Sequence, residues 1–240
     1  MNEIEADFGD ELITPKKGGN YYNSMAVIGL DGELTESVDT YRKMHLVIFG
    51  EYIPLVDQFP FLADIFKFSS GADFSGAFKA GVSTDSLTVT TGHGEVQLIP
   101  SICFEDSVGR LTRKFVRRAP QVIVNVTNDG WFKESEAAEQ HMTNAKFRAI
   151  ELRRPMIRSA NTGVSGIISA TGSAQDQVTG ERQIIEDEEG NHFVRSSLYG
   201  YAYPAAKGPV SLYALFGDWF SYLMIFLTAF TMVRSRVIRE

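Results

Sequence analysis

A chain of 240 residues, 44% hydrophobic and 22% charged, is long enough to bury the core of one sizeable domain or two small ones. Its net charge of -7 implies no basic surface to neutralise phosphates, which argues against a nucleic-acid binder. One cysteine, Cys103, excludes an internal disulfide framework.

The first twenty residues, "MNEIEADFGDELITPKKGGN", are acidic and polar and lack the apolar core a secretory signal needs. "YYNSMAVIGLDGEL" reads as a strand followed by a turn at Asp31-Gly32. From Phe59 to Phe78, six phenylalanines sit among glycines and serines, a pattern that suits either core packing or a lipid-contacting loop. "SLTVTTGHGEVQLIPSIC" predicts a hairpin turning at Gly92-His93-Gly94. "RLTRKFVRRA" predicts a short basic helix, and "PQVIVNVTNDGW" a strand ending in turn chemistry.

A helix is expected from Ala137 to Arg154, because Ala138, Met142, Ala145, Ala149 and Leu152 recur at helical spacing on one face. "PMIRSA" and "VSGIISATG" read as two further strands around an "NTG" turn. Strands interleaved with helices make the class α/β or layered α+β. Near the end, an uncharged run from Trp219 to Val233 precedes Arg234, Arg236 and Arg239. It is read as a membrane span counted back to Leu212, with a buried helix as the alternative; the basic end then stays cytoplasmic and everything before Leu212 lies on the other side.

Cys103 stands where the hairpin's second strand gives way to a sharp turn, a place that exposes a nucleophile beside backbone N–H groups. A small buried core cysteine is the competing reading. The neighbours Glu105 and Asp106 would raise the thiol's pKa, so a reactive Cys103 needs a cation from elsewhere. Lys43, between Arg42 and His45 and eight residues before Glu51, is the candidate; a solvated surface lysine is the alternative. Asn128-Asp129-Gly130 is turn chemistry at the end of a buried strand, and Glu139 and His141 follow on the first turns of the long helix. Their spacing supplies no metal-ligand set, so no metal is expected.

Six segments in order, "YRKMHLVIFGEYIPL", "SICFED", "VNVTNDGWF", "EQHMTNAKFRAIELRRP", "RSANTGVSG" and "LYALFGDW", resemble the carbon–nitrogen hydrolase (nitrilase) domain of the apolipoprotein N-acyltransferases over roughly Tyr21 to Trp219. The resemblance implies a four-layer α-β-β-α sandwich on the periplasmic side of a bacterial inner membrane. It implies an acyl chain taken from a phospholipid donor onto a cysteine as a thioester. The acyl chain then passes to the N-terminal amine of a diacylglyceryl-cysteine apolipoprotein acceptor. Position by position, Cys103 matches the nucleophile, Lys43 the oxyanion-stabilising lysine, Glu51 an acid supporting that lysine, and Glu105 a further acid of the site. No cofactor is implied.

Such sites also use a glutamate general base placed early in the domain, just after a buried strand. Glu3, Glu5 and Glu11 have no apolar strand before them. The chain is therefore expected to begin one or two strands into the domain, with an upstream chain supplying the glutamate as a further partner. Residues 1–20 are then a polar segment, 21–211 the hydrolase domain, and 212–240 the membrane helix with a basic tail. Two alternatives stay open: an inactive membrane-anchored module of the same family, and an amidase acting on a soluble substrate.

Overall fold

The computed structural model describes residues 2–4, 6–9, 12–15, 20–27, 39–56, 58–70 and 78–237. The expected Asp31-Gly32 turn, residues 71–77 of the phenylalanine-rich segment, Glu5, Glu11 and Arg239 lie outside the described residues. Near the start, β1 (Asn2–Ile4) pairs with β4 (Tyr21–Ala26), and β2 (Ala6–Gly9) with β3 (Leu12–Pro15). The other edge of β4 pairs antiparallel with β5 (Thr40–Arg42), bringing Lys43 against Asn23 through a backbone hydrogen bond of 2.8 Å.

The main sheet has five strands. The predicted hairpin forms as β6 (Leu87–Thr91) and β7 (Gly94–Ile102). β8 (Gln121–Thr127) and β9 (Met156–Ala160) continue from β7 in parallel, and β10 (Gly166–Ile168) closes the sheet antiparallel, giving the order β10-β9-β8-β7-β6. Because β7, β8 and β9 run parallel, their carboxyl ends share one sheet edge. Cys103, Asn128-Asp129 and Asn161 leave the strands there, where ligands bind in open α/β sheets.

Alternation along β8 buries Gln121, Ile123, Asn125 and Thr127 on one face. In the predicted helix, now α3 (Ala137–Leu152), the expected stripe of Ala138, Met142, Ala145, Ala149 and Leu152 is buried. Most of that stripe shares one hydrophobic core with Ile99, Ile123, Met156 and Ile168 of the sheet. Three of the five stripe residues are alanine, the other two being Met142 and Leu152. Each larger apolar side chain buried this way stabilises the fold by about 1.5–3 kcal/mol. The helix stops two residues short of the expectation, at Arg153, which takes the left-handed conformation before Arg154-Pro155.

Met25 and Tyr41 extend the core to β4 and β5, Tyr41 packing edge-on against Phe115. The predicted basic helix is shorter, α2 (Gly109–Thr112) running into a single 3-10 turn, Arg113–Phe115. The phenylalanine-rich segment contains α1 (Phe61–Ser70), whose Phe61 and Phe68 are exposed, with Phe59 exposed just before it.

The C-terminal expectation is corrected. After α4 (Leu212–Phe216) comes α5 (Trp219–Val237), yet among the described residues no helix is long and apolar enough to cross a membrane. The fifteen uncharged residues from Trp219 to Val233 rise only about 22 Å, short of a hydrocarbon core of about 30 Å. Ser221, Tyr222, Thr228 and Thr231 also dilute the run. With the span goes the sidedness drawn from it. Residues 219–235 are exposed throughout, so α5 stands away from the domain rather than buried in it.

Candidate functional site

Cys103 opens a 3-10 turn, Cys103–Ser107, directly after β7. Its φ is 52°, a left-handed conformation that costs a non-glycine residue on the order of 1–3 kcal/mol and persists only where the surroundings impose it. Two side chains do so. Asn125 on β8 donates to the Cys103 carbonyl at 3.3 Å. The fully buried Glu105 accepts the Ile102 amide at 2.8 Å, turning back across the elbow. The thiol-bearing residue itself is half-buried.

Glu105 also reaches the lysine segment. Its other oxygen accepts from the Tyr41 hydroxyl and from the amides of Met44 and His45, at 2.8 to 2.9 Å. One carboxylate thus ties the Cys103 elbow to both sides of Lys43. Burial raises the Glu105 pKa, against the four hydrogen bonds that favour its charged form. Burial also pushes the Tyr41 pKa up, helped by the Glu105 charge, so Tyr41 stays a donor.

Lys43 is not the solvated residue of the alternative reading. It is 1% exposed, with its Nζ 2.7 Å from Glu51 Oε2. Glu51 is held in turn by the Asn23 amide group and the Val47 N–H, both at 2.8 Å. Gly81 makes the close approach possible: its N–H donates to the Lys43 carbonyl at 2.8 Å, and a Cβ there would lie 2.2 Å from the Arg42 oxygen. The structure therefore brings the four expected residues into two linked groups, Cys103 with Glu105 and Lys43 with Glu51.

A third group was not foreseen. Asp106, Asp129, His141 and Arg158 are buried together beneath the elbow. Arg158 Nη1 lies 2.5 Å from Asp106 Oδ2 and Nη2 lies 3.1 Å from Asp129 Oδ2. His141 places Nδ1 2.8 Å from Asp129 and Nε2 2.9 Å from Asp106. Arg158 Nη1 also donates to Asn125 Oδ1 at 2.6 Å, and Thr127 donates to Asp129 at 2.9 Å. Burial by itself lowers the His141 pKa, but its hydrogen bonds to both aspartates outweigh that and raise it to about 9. Two cations thereby offset two carboxylates. Asp106, one of the two acids beside Cys103, is paired with Arg158 and His141. Glu139, the other residue marked at the start of α3, is exposed and faces His192 at 3.7 Å instead.

The sign of the pH effect follows. A histidine whose pKa rises from its ordinary 6.5 to about 9 contributes stability that is complete below pH 6.5 and lost as pH climbs through 9. The contribution is on the order of 2–3 kcal/mol. Urea melts between pH 6 and 10 are expected to show the loss, and His141→Gln to flatten the profile; a wild-type profile already flat over that range would contradict the imidazolium.

Comparison with known proteins agrees with this architecture. The model of the carbon-nitrogen hydrolase family matches residues 2–193. A relative from Methylococcus capsulatus named apolipoprotein N-acyltransferase is 36% identical over 203 residues, 85% of this chain and 34% of its own. One of that name from Bdellovibrio bacteriovorus is 31% identical over 88% of this chain and 35% of its own, and one from Bradyrhizobium diazoefficiens 35% identical over 91% and 36%. The chain spans about a third of the length of these relatives. With the family model matching residues 2–193, most of its length, the chain belongs to the carbon–nitrogen hydrolase family.

Proposed function

We propose that this chain carries the acyl-transfer site of an apolipoprotein N-acyltransferase, with Cys103 as the acyl-carrying nucleophile. The observation that carries the reading is the strained Cys103 elbow tied through Glu105 to the buried Lys43–Glu51 pair. A general-base carboxylate takes the Cys103 thiol proton, for later return to the leaving alcohol. The sulfur attacks the ester carbonyl of a phospholipid, and the carbonyl oxygen takes negative charge. Lys43, held in place by Glu51, stabilises that oxyanion. The ester C–O bond then breaks, lysophospholipid leaves as an alcohol after taking a proton, and a thioester remains on Cys103. The N-terminal amine of a diacylglyceryl-cysteine lipoprotein attacks the thioester, the C–S bond breaks, an amide forms, and the thiol regains its proton.

Glu105 and Glu51 already accept hydrogen bonds on both carboxylate oxygens. In this reading the general base is a different carboxylate. The five-stranded sheet and the β1-β4-β5 sheet become the middle of a four-layer α-β-β-α sandwich. The site faces the periplasmic surface of a bacterial inner membrane. The exposed apolar helix α5 supports a lipid surface as the working environment, lying in that surface with Arg234 at the headgroups.

The test is donor choice. The protein in phosphatidylethanolamine micelles is expected to release lysophospholipid and to acylate a diacylglyceryl-cysteine peptide. Turnover of a small soluble amide without lipid, and no lysophospholipid, would make it an amidase.

A further inference from the structure

Asn125 sits where the buried ion cluster meets the nucleophile's backbone. Its side chain is fully buried, and every polar atom on it is engaged. Oδ1 accepts from Arg158 Nη1 at 2.6 Å. That bond fixes which way the amide faces, since only its oxygen can meet a guanidinium. Nδ2 consequently points across to β7, where it donates to the Cys103 carbonyl at 3.3 Å and to Ser101 at its hydroxyl, 3.1 Å, and its carbonyl, 3.3 Å. Arg158 is itself held between Asp106 and Asp129, both fully buried. Asp106 lies on the same 3-10 turn as Cys103.

We infer that Asn125 is a positioning residue for acyl transfer: oriented by Arg158, it holds the Cys103 carbonyl and so keeps the left-handed elbow that aims the sulfur. The inference rests on Cys103 being the nucleophile. Glu105 holds the amide before the cysteine, and Asn125 holds the carbonyl after it. Losing either lets φ relax from 52° toward the ordinary region and swings the side chain with it. Misplacing a reacting atom by about 1 Å costs on the order of 100-fold in rate.

Cys103 is the chain's only cysteine, so every covalent event at a thiol reports on this site. The experiment follows acylation of the full chain by a p-nitrophenyl ester in detergent micelles, by intact mass, beside alkylation by iodoacetamide. The ester needs sulfur and oxyanion donors in register, whereas the alkylating agent needs only an accessible thiolate. Asn125→Leu is expected to slow acylation about 100-fold with KM nearly unchanged, and alkylation by less than about 3-fold. Ile168→Ala, a cavity variant in the core of β10, is expected to lose stability while keeping the wild-type acylation rate.

Arg158→Lys keeps the buried charge without the fork that reaches both aspartates and Asn125, and is expected to slow acylation about 10-fold. It carries the test should Asn125→Leu fail to fold. Asn125→Leu or Arg158→Lys acylating at the wild-type rate overturns the inference alone. A wild-type chain that takes no acyl group at Cys103 yet is alkylated there overturns the nucleophile reading and this inference with it.

Discussion

Cys103→Ala is expected to reduce acyl transfer by about 10⁴-fold or more while leaving the fold intact. The chain has no second thiol to carry the acyl group. Its neighbouring carboxylates are committed elsewhere: Glu105 to four donors, and Glu51 to Lys43, Asn23 and Val47. No other group at the elbow is placed to take over as nucleophile among the described residues. Stability gives an independent check on the same position. At φ 52° a glycine escapes the clash that any Cβ suffers, so Cys103→Gly should be more stable than Cys103→Ala by about 1 kcal/mol. Lysophospholipid release and thermal melts on the two variants read both effects. Retention of more than about a hundredth of the activity in Cys103→Ala would remove the cysteine from the mechanism.

Arg158→Met is expected to produce the largest loss of stability, about 3–5 kcal/mol. It leaves Asp106 and Asp129 buried with His141 as their only remaining cation in the cluster. For a domain of this size that corresponds to a melting temperature lower by about 10 °C. The variant's pH dependence should also change sign in the acid range. In the wild type the Asp129 pKa is depressed, with its hydrogen bond to His141 and the Arg158 and His141 charges outweighing burial; it therefore adds stability above its ordinary 3.8 that is lost as pH falls. Without Arg158 an uncompensated carboxylate gains from protonation, so the variant should recover stability on mild acidification. Melts from pH 7 to pH 5 decide it: a variant as stable as wild type at pH 7, or one that only weakens as pH falls, would contradict the cluster's charge balance.

The parts of the site that lie close in sequence were legible before the fold was known. Cys103 closes a hairpin strand whose alternation is plain, and Glu105 follows two residues later. The core face of α3 could be read from the spacing of its alanines, methionine and leucine. Lys43 was harder. Nothing local distinguishes it from a solvated lysine, and its burial depends on β4 supplying Asn23 and on Gly81 allowing a second segment to close over it. The ion cluster was missed because its members lie on four elements spanning Asp106 to Arg158, assembled by the parallel register of β7, β8 and β9. A signal existed: Arg158 falls on the buried face of "MIRSA", alternating with Met156, and an arginine there demands buried acids. The C-terminal run misleads for the opposite reason: counted back to Leu212 it has the length of a span, but Gly217-Asp218 divides it into α4 and α5.

The most direct measurement is the intact mass of the chain after incubation with phosphatidylethanolamine vesicles, before and after neutral hydroxylamine. The account predicts a mass gain of one fatty acyl group, located at Cys103 and removed by hydroxylamine as a thioester must be. A chain that releases lysophospholipid while Cys103 stays an unmodified thiol, or that carries an acyl group hydroxylamine cannot remove, would contradict it.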